Sequence, residues 1–138
     1  MTRLKLDQEL LGISSIIEKL TGVYIKDCFR EDDTIYIVVD PGQLGKAVGK
    51  GGEVIKRVQF QLRKNIRVIE FRDSAADFVR NVIYPVTVEE ILDQEGQILI
   101  RDSSRKVKSQ LIGRDGKNLA VVKRAVQRFF PGKEVKVV

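Results

Sequence analysis

Leu44-Gly45-Lys46-Ala47-Val48-Gly49-Lys50-Gly51-Gly52-Glu53-Val54-Ile55-Lys56-Arg57-Val58 reads as one helix that stops and another that starts. Leu44, Ala47 and Val48 share one helical face, and Val54, Ile55, Val58 and Leu62 share the next, with Gly49-Lys50-Gly51-Gly52 between them. Glycine permits positive φ and places no Cβ between the backbone and a ligand. A glycine loop at the head of a helix turns backbone N–H groups and the positive end of the helix dipole towards an anion. The same context returns 64 residues later. A basic short helix, Ser104 to Ile112, meets Gly113-Arg114-Asp115-Gly116, and a helix carrying Leu119, Val122, Val126 and Phe129 follows. Each loop comes after a β-branched residue, Val48 or Ile112, and is flanked by Lys or Arg. With eleven glycines in the chain, roughly one G-x-x-G string is expected by chance, so the repeated context carries the information rather than the string. Gly42-Gln43-Leu44-Gly45 is discounted because it directly follows a strand. For one loop taken singly, the alternative is a tight helix–helix turn closed by a C-cap glycine.

Outward from the loops, the chain reads as one pattern written twice. Asp7 to Leu20 carries Leu10, Ile13, Ile16, Ile17 and Leu20 at helical spacing, with Asp7 as N-cap and Gly22 past the end. Val23-Tyr24-Ile25 and Ile35 to Val39 predict a hairpin separated by Arg30-Glu31-Asp32-Asp33. Asp40-Pro41 closes the second strand, with Pro41 suited to the first turn of a helix. Ile66 to Phe71 alternates as a strand. Ser74 opens a new helix in a capping-box-like start with Asp77, and Phe78, Val79, Val82 and Ile83 form its buried face. Val86 to Leu92 and Ile98 to Ile100 predict strands around a turn at Asp93 to Gly96, and Val135 to Val138 is a closing strand. The fold class is therefore α+β, an αββααβ order repeated, with domains at 1–73 and 74–138.

Charge separates along the same lines. From Gly42 to Arg67, seven Lys/Arg face Glu53 alone, and from Ser103 to Arg128, eight face Asp115 alone. The net charge of the whole chain is +6, so everything outside these windows is acidic on balance. That is the electrostatic footprint of a polyanion-binding protein. Lys50, Arg114 and Lys117 stand in or beside the loops, with Lys46, Lys56, Arg57, Lys108, Lys123 and Arg124 on the flanking helices. Val48 and Ile112 are placed to floor a groove for unpaired bases. The sequence-level binding set is thus these residues with Gly49, Gly51, Gly52, Gly113, Asp115 and Gly116. Asp115 puts a carboxylate close to the phosphate path, so the second loop is expected to grip less well than the first.

Other chemistries find little support. The chain has no histidine and a single cysteine, Cys28, read as a small buried strand residue, so the commonest general base, the Cys–His and Ser–His pairs and the usual zinc ligands are missing. Gly45 to Lys50 is one residue short of a phosphate-binding Walker loop and lacks its Ser/Thr. No catalytic residue, metal or cofactor is expected, and the chain reads as a binding protein, not an enzyme. The apolar runs are too short to cross a bilayer, and Met1-Thr2-Arg3-Leu4-Lys5 soon meets Asp7 and Glu9, so a cytoplasmic protein without a secretory signal or membrane partner is expected. Tyr24, Tyr36 and Tyr84 are expected in the core, and the low aromatic content argues against a base-stacking sheet.

The arrangement resembles the type II KH fold, whose helix–Gly-loop–helix clamps about four nucleotides of single-stranded backbone. The run from Asp40-Pro41 through Gly49-Lys50-Gly51-Gly52 to Lys56-Arg57-Val58 resembles the first KH domain of the NusA-like family. Ile69 to Val86 (IEFRDSAADFVRNVIYPV) is similar to the segment that joins the two KH domains there. The resemblance covers nearly the whole chain and implies tandem type II KH domains, each a three-stranded mixed sheet with helices on one face. It implies a short factor of the archaeal type that acts on nascent single-stranded RNA in elongation, termination or antitermination, with RNA polymerase or other transcription factors as further partners; a monomer is expected. Bacterial members carry in addition a polymerase-binding domain and an OB-type domain, for which no room is expected ahead of Asp7. An RNA-binding role in translation or ribosome assembly is the alternative, since type II KH domains occur there too.

Overall fold

In the computed structural model, which describes residues 3–138 and side chains from residue 8 onward, the expected order of elements occurs twice. The chain divides into two compact units, Met1–Phe71 and Arg72–Val138. In the first, α1 (Arg3–Thr21) leads into β1 (Ile25–Glu31), β2 (Thr34–Val39), α2 (Leu44–Val48), α3 (Glu53–Leu62) and β3 (Asn65–Glu70). Strand β2 is central, antiparallel to β1 and parallel to β3, with Ile35 opposite Ile66 and Ile37 opposite Val68. A parallel pair needs a crossover connection, and α2 and α3 supply it. Alternation along the strands sends Ile25, Ile35, Ile37, Val39 and Ile66 to one face, where Ile13 and Ile17 of α1, Ala47 of α2, and Ile55 and Val58 of α3 cover them. Each of these Ile and Val side chains contributes about 1.5–3 kcal/mol by leaving water. Residues on both sides of the glycine loop, Ala47 before it and Ile55 and Val58 after it, are thus anchored to the sheet.

The second unit repeats the plan with α4 (Ala75–Ile83), β4 (Glu90–Gln94), β5 (Gln97–Arg101), α5 (Arg105–Ile112), α6 (Lys117–Phe129) and β6 (Glu134–Val137). Strand β5 is antiparallel to β4 and parallel to β6. Ser74 caps α4 by accepting from the Asp77 N–H at 3.4 Å, and Ser104 caps α5 by accepting from the Val107 N–H at 3.3 Å. Phe78 is fully buried, with its ring 5.3 Å from that of Phe129 and 5.9 Å from that of Phe130. Both sheets are mixed and three-stranded, as expected.

Several local expectations are corrected. Helix α1 starts at Arg3, so Asp7 is inside it rather than its N-cap, and the Asp7 side chain lies outside the described residues. Strand β1 begins at Ile25 and runs on through Arg30 and Glu31, whose backbones pair with Ile35 and Thr34, leaving only Asp32-Asp33 as the turn. Polar side chains are compatible with an edge strand, and Arg30 reaches Glu9 of α1 at 3.8 Å. Pro41 lies in a turn ahead of α2, where the Gly42 N–H donates to Oε2 of Glu70 at 2.9 Å. The strand expected at Val86 to Leu92 moves to Glu90–Gln94, because the chain first turns at Val86, whose N–H donates to the Ile83 carbonyl at 2.9 Å. The following turn shrinks to Glu95-Gly96, with φ of 41° and 79°, the paired positive values of a two-residue hairpin. Cys28 lies in β1 but is half-buried. Tyr36 is buried against Phe29 with ring centroids 5.2 Å apart, whereas Tyr24 and Tyr84 are exposed.

Candidate nucleic-acid interface

The two glycine loops are built alike. Gly49 ends α2 by donating to the Gly45 carbonyl at 2.9 Å, and Gly52 donates back to Gly49 at 3.0 Å. Gly113 donates to Ser109 at 2.9 Å, and Gly116 to Gly113 at 3.2 Å. The first glycine has φ, ψ of 83°, 167° in one loop and 74°, 174° in the other. The third position has 64°, 19° at Gly51 and 55°, 25° at Asp115. The fourth has 77°, 15° at Gly52 and 74°, 15° at Gly116. Asp tolerates the left-handed region better than most residues, so Asp115 fills a place that Gly51 fills in the other copy.

The first glycine of each loop is also a close-approach position. A β-carbon at Gly49 would stand 2.6 Å from Cγ2 of Val54 and 2.9 Å from its backbone N. At Gly113 it would stand 2.6 Å from Cγ of Asn118. Gly51 and Gly116 have open space on that side. The loop is therefore pressed onto its second helix at one end, while Lys50 and Gly51, or Arg114 and Asp115, stand exposed at the outer edge. Helices α3 and α6 point their N-termini into these loops, where backbone N–H groups and the dipole favour an anion.

The expected binding residues fall into two groups. Val48, half-buried beside the core, and Lys50 lie at the first loop, and the Lys56 side chain folds back over it, with Cε 3.6 Å from where a Gly52 β-carbon would be. Ile112, 40% exposed, with Arg114, Asp115 and Lys117 gather at the second loop in the same way. The others are placed elsewhere. Lys46 turns towards the end of α1, with Nζ 3.5 Å from a β-carbon built on Gly22. Arg57 pairs with Glu53 at 3.6 Å, an exposed i, i+4 pair of small energetic weight. Lys108 is close enough to Glu89 to help, as a minor cause, to hold that carboxyl below its ordinary pKa. The chief cause there is Ser103, whose hydroxyl donates to Glu89, with its N–H donating as well at 2.8 Å. Lys123 opens, with Gln127, Lys133, Glu134, Val135 and Lys136, on a groove of about 450 Å³ along α6 and β6. Arg124 is exposed on α6, two turns beyond Lys117. Other charges of the basic windows are engaged structurally: Lys64 reaches Glu9 at 3.3 Å, and Arg67 in β3 lies opposite Tyr36.

Asn118 escaped the sequence reading. Its Nδ2 donates to the Gln110 carbonyl at 2.8 Å, lacing the start of α6 to the end of α5 across the loop. An amide at the second position of a helix that follows a glycine loop is the signal that was there to read. Glu53 was read only as a charge, yet it occupies the first turn of α3, where the dipole favours an acid, while α6 has Lys117 in that place. Among the described residues, no helix is long and apolar enough to cross a membrane.

Comparison with known proteins agrees with this geometry. Residues 13–92 match the KH domain family. The "Probable transcription termination protein NusA" of Methanococcus vannielii is 31% identical over 99% of this chain and 80% of its own length. Its namesake in Methanocaldococcus jannaschii is 28% identical over 100% of this chain and 77% of its own length. The solved structure described as "Crystal structure of APE1850" is 28% identical, with a TM-score of 0.76 over 95% of this chain and 99% of that one. With two helix–loop–helix crossovers of matching dihedral angles on two mixed sheets, the chain belongs to the KH-domain family, as a NusA-like member of the archaeal type.

Proposed function

We propose that this chain binds single-stranded RNA without catalysing a reaction, each module (1–73 and 74–138) gripping sugar-phosphate backbone at its glycine loop. The single observation that carries the reading is the repetition of loop geometry, with left-handed residues at matching positions and cations at the exposed edge. A helix–Gly-loop–helix of this kind clamps about four nucleotides of backbone. The apolar residues just before the loops, Val48 and Ile112, face the bases. The names of the relatives, probable transcription termination proteins, support a role on nascent RNA in elongation, termination or antitermination, which we assign to the cytoplasm. RNA polymerase or other transcription factors are the further partners, and the chain acts as a monomer.

The test is fluorescence anisotropy of a labelled, unstructured RNA of about ten nucleotides, long enough for two such footprints. Wild type is compared with Gly51→Asp and Arg114→Asp at two salt concentrations, with duplex RNA as control. Gly51→Asp copies into the first loop the residue that the second loop already holds in the same conformation, so it changes charge while keeping the backbone. Salt-sensitive binding to the single strand that falls in both variants is expected. Binding that ignores both substitutions, or that prefers the duplex, overturns the proposal.

A further inference from the structure

Phe60 is 86% exposed, more than any other large apolar residue described. A single exposed ring needs no explanation by itself; its surroundings are what distinguish it. Ile55 and Val58 are the buried residues of α3, and Phe60 stands on the opposite side of the helix. Lys56 and Arg57, one turn earlier, share that side with it. Phe60 is eight residues beyond Gly52, about 12 Å along α3 from the loop. At the far end of the helix it lines a shallow concavity with Gln59, Gln61 and Arg63.

We propose that Phe60 is a stacking platform for an unpaired base of the RNA strand, reached beyond the nucleotides held at the first loop. The inference rests on the RNA reading of that loop and extends its footprint along α3. A ring flanked by cations and amides suits a single strand, whose bases stack on aromatic faces while cations follow the phosphates. It suits a protein partner poorly, because the centre of a protein interface is depleted in charge and rich in neighbouring apolar residues. Cations line the path from the loop to the ring: Lys56 folds over Gly52, Arg57 follows on the same face, paired with Glu53 at 3.6 Å, and Arg63 closes the far side. At the matching position of the second module stands Arg124, whose planar guanidinium can also stack on a base.

The experiment uses the full chain with two labelled unstructured RNAs, of about four and ten nucleotides, the shorter matching one loop footprint. Phe60→Ala is expected to weaken the longer RNA roughly tenfold or more and to leave the shorter unchanged. The chain has no tryptophan, so Phe60→Trp installs a single reporter. Its emission is expected to be quenched by the longer RNA and not by the shorter, with affinity near that of wild type. If wild type binds and Gly51→Asp weakens it, yet Phe60→Ala binds both RNAs as wild type does and Phe60→Trp is not quenched, the platform is overturned while the loop stands. The ring then belongs to a protein-facing surface. If wild type binds neither RNA, the loop reading itself fails and takes the platform with it.

Discussion

Gly49→Ala is expected to damage the first module far more than Gly51→Ala, although both glycines sit in one turn. At Gly49 the backbone has φ 83° and ψ 167°, a region essentially reserved for glycine, where a side chain costs on the order of 1–3 kcal/mol. The new β-carbon would also stand 2.6 Å from Cγ2 of Val54 and 2.9 Å from the Val54 backbone N. The methyl can rotate away but the backbone nitrogen cannot, so relief requires α2 and α3 to part, an overpacking cost of about 1–3 kcal/mol more. At Gly51, φ 64° and ψ 19° are left-handed helical and nothing stands within 4 Å of the new carbon. Alanine there costs only about 1–2 kcal/mol. Gly113→Ala falls between: of its three nearest contacts, Cγ and Nδ2 of Asn118 can swing aside at the loss of the hydrogen bond to Gln110, whereas the Asn118 Cβ, 3.0 Å away, moves only with the backbone. Urea unfolding checks the order. With slopes of about 1–3 kcal/mol per molar, Gly49→Ala should lower the midpoint by roughly 1 M or more relative to wild type, and Gly51→Ala by clearly less. Equal midpoints for the two variants would falsify the close-approach reasoning and leave the glycines as ordinary turn residues.

Lys50→Asp should weaken RNA binding more than Arg114→Asp, because Asp115 already disfavours phosphate at the second loop; anisotropy titrations showing the reverse order would refute that ranking. Ser103 holds Glu89 below the ordinary carboxyl value of 4.5. A depressed folded-state pKa gives stability that is present above the unfolded value and lost as pH falls through the folded one. Wild type should therefore lose stability more steeply than Ser103→Ala below about pH 4.5, as read from thermal midpoints across an acid series, and parallel curves would contradict it. Phe78→Ala removes a fully buried ring that touches Phe129 and Phe130, and should cost about 3–5 kcal/mol in denaturant unfolding. A loss under about 1 kcal/mol would mean that the site collapses onto the gap.

The fold was legible wherever the periodic signal was long. Ile13 and Ile17, Ile55 and Val58, and Phe78 and Val82 at helical spacing are all buried as their periodicity requires. The repeated helix–loop–helix context identified the crossover that makes each sheet mixed. Strand ends were less readable, because pairing is decided by backbone partners and not by polarity. Arg30 and Glu31 look like a turn in sequence and pair as a strand in the fold. In the site, the loop residues could be found from glycine spacing, but the direction of each lysine could not. Lys46 and Lys108 belong to the basic windows, yet one turns to the end of α1 and the other lies near Glu89. A long flexible side chain takes its direction from partners distant in sequence, such as Glu9 for Lys64, which is 55 residues away.

The two loops separate what sets shape from what sets chemistry. Their dihedral angles agree to within about 10°, although one holds Lys-Gly at its centre and the other Arg-Asp. The shape is therefore imposed by the framework: the first glycine pressed against the second helix, the return bond to its carbonyl, and the helices fixed to the sheet by Ala47, Val58, Leu111 and Val122. The exposed central pair is free to vary because a left-handed residue there meets open space at Gly51 and tolerates a carboxylate at Asp115. Affinity for phosphate should then respond to substitutions at positions 50, 51, 114 and 115 with less loss of stability than at 49 and 113. Substitutions at 49 and 113 should lower stability and affinity together. That division makes the loop a site whose grip can be altered charge by charge without disturbing the crossover that carries it.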